Sequence, residues 1–108
     1  MSRRLRKRYL ALKIVSEQPV NERDIMNAVW KAVLQLFGEY GASKAGLSLI
    51  ECNSQKNYVI LRCSHTAVDV VRASVASITE MNEKPVAIHV LGVSGTLKAL
   101  RKKALIQG

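Results

Sequence analysis

Alternation of apolar and polar residues in several short stretches constrains the fold of this chain more than any other feature. In RYLALKIVSE, residues 8–17, Leu10, Leu12 and Ile14 fall on one face of an extended strand, and Tyr9, Ala11 and Lys13 fall on the other. Three further apolar runs of strand length follow: LSLIECN at 47–53, YVILRCS at 58–64 and VAIHVLGV at 86–93. The sequence therefore predicts four strands.

Apolar residues at helical spacing occupy segments between and after these strands. Asn21 is placed to cap a first helix, which glycines at 38 and 41 are expected to end near residue 40. Thr66 is expected to cap a second helix, and Thr96 a short last one, LKALRKKALI. The predicted core stripes are Ile25, Val29, Ala32, Val33, Leu36 and Phe37; Val68, Val71, Val75 and Ile78; and Leu97, Leu100 and Ala104.

The order of these elements, β-α-β-β-α-β-α, predicts an α+β fold. It is typical of a ferredoxin-like (RRM-like) two-layer sandwich, here with an additional C-terminal basic helix. Such a fold packs two helices on one face of a four-stranded antiparallel sheet and leaves the other face open unless something covers it. With 108 residues, we expect a basic N-terminal arm at 1–7 and a single domain at 8–108.

Positive charge is concentrated at the two ends of the chain. There are 17 Lys and Arg against 8 Asp and Glu, a net charge of +9, and no acid occurs in residues 1–16 or 84–108. Such an excess favours a polyanionic partner, nucleic acid or an anionic membrane surface. Because the first and fourth predicted strands are neighbours, the arm and the last helix should meet at one end of the sheet. The residues predicted to contact nucleic acid are Arg3, Arg4, Arg6, Lys7, Arg8, Lys98, Arg101, Lys102 and Lys103.

Reactive side chains form no recognisable catalytic or metal-binding motif. Cys52 and Cys63 lie in apolar runs without metal-type spacing and are interpreted as buried thiols. His65 and His89 have no nucleophile motif near them, and GVSG at 92–95 lacks the pattern of a phosphate-binding loop. We therefore expect no catalytic residue, no metal site and no cofactor bound by the protein. No stretch has the length of a membrane span or the form of a signal peptide, so a cytoplasmic protein is expected.

The sheet face away from the two predicted helices is a candidate interface. Tyr9, Lys13, Tyr58, Ile60 and Arg62 should point outward together from the first and third strands. An aromatic and basic sheet face can stack RNA bases, but KNYVILRC at 56–63 has one aromatic residue and no glycine, unlike the usual RNA-reading strand. Cover by a protein partner or by the C-terminal helix is the alternative. We assign these five residues to a partner interface.

Three long stretches resemble a known family: RKRYLALKI at 6–14, SLIECNSQKNYVILRCSH at 48–65 and VLGVSGTLKALRKK at 90–103. They are similar to archaeal ribonuclease P protein component 2, which is related to a subunit of eukaryotic ribonucleases P and MRP. The resemblance covers nearly the whole chain. It implies an RRM-like RNA-binding subunit of the ribonucleoprotein that removes the 5′ leader from precursor tRNA.

The resemblance also implies partners and a division of labour. Catalysis would reside in the ribonuclease P RNA and its bound Mg²⁺, with the protein as a non-catalytic subunit. A TIM-barrel-like ribonuclease P protein would be the protein partner, with a homodimer within a heterotetramer as a further expectation. The alternative from another class is a ferredoxin-like protein–protein or small-ligand-binding regulatory module. Such a module has little need of basic termini or of an RNA affinity that falls steeply with salt.

Overall fold

The computed structural model describes residues 6–17 and 21–104. Within them lie three helices, five strands and a short 3₁₀ turn, so the fold is mixed α and β. In chain order the elements are β1 (Lys7–Ser16), α1 (Glu22–Ala45), β2 (Ser48–Asn53), β3 (Tyr58–Ser64), the 3₁₀ turn (His65–Ala67), α2 (Val68–Ala76), β4 (Glu80–Met81), β5 (Lys84–Ser94) and α3 (Leu97–Ala104).

The five strands form one antiparallel sheet in the order β2-β3-β1-β5-β4. Strand β1 lies between β3 and β5, with Lys13 opposite Tyr58 on one side and opposite His89 on the other. The predicted adjacency of the first strand to the third and fourth predicted strands is therefore present. Strand β4, which the sequence did not predict, extends the sheet by only two residues.

Helices α1 and α2 cover one face of the sheet, as the apolar alternation predicts. The side chains between these layers are aliphatic with one cysteine, and burying them supplies the main driving force for folding. This core comprises Leu10, Leu12, Ile14, Ile25, Val29, Val33, Ala42, Val59, Leu61, Cys63, Val71, Val75, Val86 and Ile88.

Helix α1 begins as predicted but ends later. Asn21 caps it, accepting a hydrogen bond from the Arg23 backbone at 2.8 Å. The predicted end near residue 40 is wrong: Gly38, at φ 76° and ψ −179°, kinks the helix, which resumes to Ala45 and ends at left-handed Gly46. The last turns persist because Ala42 and Ala45 are buried. Leu36 and Phe37, predicted to be core residues, precede the kink and are exposed.

One local prediction in the second half of the chain also needs correction. Thr66 does not cap α2, because a 3₁₀ turn intervenes and the residue before the helix is Ala67, which has no capping side chain. Strands β4 and β5 form a hairpin. Its central residues, Asn82 and Glu83, have φ of 53° and 66°, the pattern of a type I′ turn.

Helix α3 packs on the opposite sheet face and forms a second, smaller core there. Leu100 and Ile60 are both 0% exposed in this core, which also contains Ala11 and Tyr58. Thr96 caps the helix as predicted, accepting a hydrogen bond from the Ala99 backbone at 3.1 Å. The chain therefore covers a large part of its own second sheet face.

Across the described residues, no helix combines the length and the apolar character that crossing a lipid bilayer requires.

The second core predicts a stability effect of Leu100. We expect Leu100→Ala to lower the free energy of unfolding by about 2–4 kcal/mol, because it leaves a cavity above Ile60. Lys102→Ala is the control, since that side chain is exposed on the same helix. Urea unfolding measures both. Equal stability of the two variants would show that α3 contributes nothing to the folded state.

Candidate nucleic-acid interface

The start of β1 and the start of α3 meet at one end of the sheet. Tyr9 lies opposite Ser94, so β5 ends beside the beginning of β1. The Arg8 guanidinium lies 3.5 Å from the position that a Cβ on Gly95 would take. The start of β1 therefore adjoins the residues that lead into α3. We call the described cations of these two elements that are not engaged elsewhere in the fold, Arg6, Arg8, Lys98 and Lys102, the basic end.

The predicted RNA-contacting cations fall into different environments. Arg6, Lys98 and Lys102 are exposed, and Arg8 is half-buried. Arg3 and Arg4 lie outside the described residues, as does the side chain of Lys103 within α3. The structure therefore leaves three of the predicted cations exposed and places the fourth, Arg8, beside Gly95.

Lys7 is directed towards the helical layer. Its ammonium lies 3.3 Å from the position that a Cβ on Gly46 would take, at the C-terminal end of α1. A cation is favourable there because the last carbonyl groups of a helix carry partial negative charge. The backbone oxygen of Lys7 also accepts a hydrogen bond from Arg8 at 3.0 Å. The Lys7 ammonium therefore lies beside the C-terminal end of α1 rather than beside α3.

Arg101 differs most from its predicted environment. We expected a solvent-exposed cation, but Arg101 is half-buried and pairs with Glu51 on β2. Two guanidinium nitrogens donate to the two carboxylate oxygens, at 2.5 Å and 3.3 Å. The Tyr58 hydroxyl donates to the same carboxylate at 2.5 Å. Arg101 therefore fastens α3 to the sheet, and the prediction that it is freely exposed is wrong.

Hydrogen bonding explains the electrostatics of this triad. The bond from Arg101, followed by the one from Tyr58, lowers the pKa of Glu51 below its ordinary value, against the opposing effect of desolvation. The bond to Glu51 likewise raises the pKa of Arg101. Sequence reasoning missed Glu51. The signal that could have identified Glu51 as the partner of a basic residue is that it is the one acid in an otherwise uncharged strand, on a sheet that a basic helix could cover.

The five residues assigned to a partner interface do not form one exposed patch. Tyr58 and Ile60 are buried beneath α3, so the expectation that they are exposed is wrong. The reason is that Leu97 and Leu100 make α3 amphipathic, and its apolar side fills the open face. Tyr9 and Arg62 are half-buried, and Lys13 is exposed. The Arg62 Nε is buried and has no hydrogen-bond partner within the described part of the chain.

The remaining reactive groups are scattered. His65 is exposed, with its Nδ1 3.3 Å from the backbone oxygen of Arg6, and His89 is exposed on β5. Burial raises the pKa of the Cys63 thiol to about 11, with Lys7 opposing the shift, and burial also raises that of Cys52. Among the described residues, no three His, Cys, Asp or Glu side chains are grouped to hold a metal ion.

A groove of about 500 Å³ lies between α1 and the β4–β5 hairpin. Asp24, Lys31 and Glu80 are among its lining residues, so both signs of charge face it. The Asn82 side chain closes one side by donating to Asp24 at 3.0 Å. Its walls come from the helical layer and the β4 edge, so it is separate from the basic end.

Comparison with known proteins identifies the family. A sequence profile of the Rpp14/Pop5 family matches residues 8–105. The chain belongs to the Rpp14/Pop5 family. Among similar members, ribonuclease P protein component 2 of Methanocaldococcus jannaschii is 43% identical over 102 residues, covering 94% of this chain and 75% of that protein.

Other Rpp14/Pop5 relatives show the same extent of similarity. The component 2 protein of Methanosarcina mazei is 39% identical over 104 residues, covering 96% of this chain and 88% of its own length. That of Pyrococcus furiosus is 39% identical over 102 residues, covering 94% and 85%. In structure, the fold resembles a chain in the cryo-EM structure of yeast ribonuclease MRP. The TM-score is 0.71 at 14% identity, covering 97% of this chain and 88% of that one.

The triad predicts a pH-dependent stability difference. Because the pKa of Glu51 is lowered on folding, its contribution should be fully present above the unfolded-state value near 4.5 and be lost as the pH falls through the folded-state value. Glu51→Gln should therefore lower the free energy of unfolding by about 0.5–1 kcal/mol at neutral pH, a modest effect because the pair is one-third exposed.

The measurement is urea unfolding of the wild type and Glu51→Gln across pH, with exposed Glu39→Gln as the control variant. The wild-type and Glu51→Gln stabilities should converge in acid. A constant difference between them at every pH would contradict the assigned role of the carboxylate.

Proposed function

We propose that this chain is an RNA-binding, non-catalytic protein subunit of ribonuclease P that assists the catalytic RNA in removing the 5′ leader from precursor tRNA. Similarity to component 2 proteins along nearly the whole chain supports this function. The observation from the structure that carries it is that β1 begins beside the segment leading into α3, and that these two elements carry the exposed cations Arg6, Lys98 and Lys102.

The basic end has the chemistry of a phosphate-binding surface. Exposed Lys and Arg side chains bind phosphates mainly through charge and release counterions as they do so. Such contacts position RNA without reading its sequence. The net charge of +9 extends this attraction over a longer range. Base-specific recognition would then fall to the RNA or to other proteins of the particle.

The proposal includes a more specific fold, partners and location. The arrangement of β1, β2, β3 and β5 with α1 and α2 is consistent with a ferredoxin-like, RRM-like fold carrying α3 as a C-terminal basic addition. The RNA partners would be ribonuclease P RNA and precursor tRNA, with Mg²⁺ held by the RNA. The protein partner would be a TIM-barrel-like ribonuclease P protein. Two copies of this chain would form a homodimer within a heterotetramer. The particle would be located in the cytoplasm.

A salt series separates phosphate contacts from structural cations. Replacing Lys98 and Lys102 together with Ala should flatten the slope of log affinity against log salt by about 1.4–1.8, if both side chains contact phosphates. Thermal stability should change little, because both side chains are exposed. Arg101→Ala should lower the melting temperature instead, because it breaks the pair with Glu51.

The matched control is the double variant Lys31→Ala and Arg72→Ala, which removes two exposed cations from the helical layer. Its slope should stay close to that of the wild type. If both double variants flatten the slope equally, the attraction would reflect total charge, and the basic end would have no special role.

Reconstitution tests the function itself. The protein alone should leave precursor tRNA uncleaved, because His65 and His89 lie apart without a neighbouring nucleophile motif. With cognate ribonuclease P RNA, Mg²⁺ and the TIM-barrel-like protein, adding this chain should raise the rate of 5′-leader removal. Cleavage by RNA-free protein that disappears in His65→Ala or His89→Ala would instead make the chain a nuclease. An unchanged rate on addition would contradict the proposed function.

A further inference from the structure

Helix α3 leaves part of the second sheet face uncovered. Lys13 on β1 and His89 on β5 lie directly opposite each other there, in the cross-strand row that also contains buried Tyr58. Lys13 and His89 are both exposed, and neither has a hydrogen-bond or ion-pair partner within the described residues. Directly opposite side chains on one sheet face lie close enough to bind one ligand together.

Two exposed aliphatic side chains flank this pair. Val15 follows Lys13 on the same face of β1 and is 50% exposed, and Leu91 follows His89 on β5 and is 40% exposed. Ordinary strand alternation places Leu91, two residues after His89, on the same outer face. Val90 and Val93 both pack towards the helical layer, so the irregularity in the β1–β5 pairing changes the phase of the strand only after Leu91. We call Lys13, Val15, His89 and Leu91 the open-face surface.

The positive charge of Lys13, which no nearby carboxylate neutralises, favours an anionic ligand for the open-face surface. Of the nearby acids, Glu51 is engaged by Arg101 and Tyr58. Glu17 lies four residues beyond Lys13, and Glu80 lies opposite Pro85, four residues from His89. At strand spacing each is ~13 Å along the chain from the pair. No carboxylate described at this face therefore neutralises Lys13.

We propose that the open-face surface binds unpaired nucleotides of RNA, with Lys13 and His89 contacting the phosphate and Val15 and Leu91 supporting the base or ribose. This inference rests on the proposed RNA-binding function and adds a second contact to the basic end. Arg8 lies five residues from Lys13 on β1, so ~16 Å of strand separates the two surfaces. Unpaired RNA fits because its bases are free to lie on an apolar platform, whereas those of a duplex are stacked.

The test measures binding of a short oligouridylate and of a fully paired RNA hairpin to the whole protein at low salt. Lys13→Ala with His89→Ala should weaken oligouridylate binding by roughly tenfold, the loss expected for a charge-assisted contact. Leu91→Ser should weaken oligouridylate binding but leave hairpin binding unchanged. The control is Lys31→Ala with Arg72→Ala on the helical layer. Thermal melts should be unaffected by Lys13→Ala with His89→Ala, since both side chains are exposed.

The outcomes separate this surface from the proposed function. Wild-type protein that binds neither RNA overturns both. Wild-type binding that Lys13→Ala with His89→Ala reduces no more than the control overturns the open-face surface and leaves the basic end intact. Equal losses for oligouridylate and hairpin overturn the assignment to unpaired nucleotides. Unchanged RNA affinity with lost binding to the TIM-barrel-like protein would make the surface a protein contact and overturn the proposal.

Discussion

Docking of α3 on the sheet determines which surfaces this protein can offer to a partner. Leu100 fills the space above Ile60, and Arg101 pairs with Glu51, which also accepts a hydrogen bond from Tyr58. The apolar contact stabilises the docked helix but is non-directional. The bidentate ion pair fixes the orientation of the helix. Together they convert most of the second sheet face from a binding surface into a second core.

Because α3 is docked on the sheet, some basic side chains stabilise the fold while others remain exposed for binding. Arg101 is committed to the fold, whereas Lys98 and Lys102 on the same helix remain exposed. Lys7 is directed to the end of α1, whereas Arg6 is exposed and Arg8 adjoins Gly95. A count of basic residues therefore overstates the number available to RNA. The available cations lie on β1 and α3, which meet at the end of the sheet where β1 begins.

Sequence reasoning succeeded where one periodic pattern decided the outcome. Alternation in β1 and β3 predicted which side chains face α1 and α2, and Asn21 and Thr96 were recognised as caps because their side chains satisfy nearby backbone groups. It failed where tertiary contacts competed with local signals. Gly38 looked like a helix end, but burial of Ala42 and Ala45 continues α1 beyond the kink. Ile60 is buried only because α3, which is distant in sequence, packs on it. The Arg101–Glu51 pair likewise joins residues fifty positions apart. The RNA contacts themselves remain predictions.

Hydrogen exchange of the chain, free and bound to its cognate ribonuclease P RNA, tests most directly the claim that RNA binds beside a docked α3. We expect RNA to slow exchange at the start of β1 and in α3, while the buried amides of β3 beneath the helix stay protected in both states. Faster exchange in β3 on RNA binding would mean that α3 leaves the sheet to expose it. Protection confined to α1 and α2 would place the RNA on the opposite layer. Either result would show that RNA does not bind beside a docked α3.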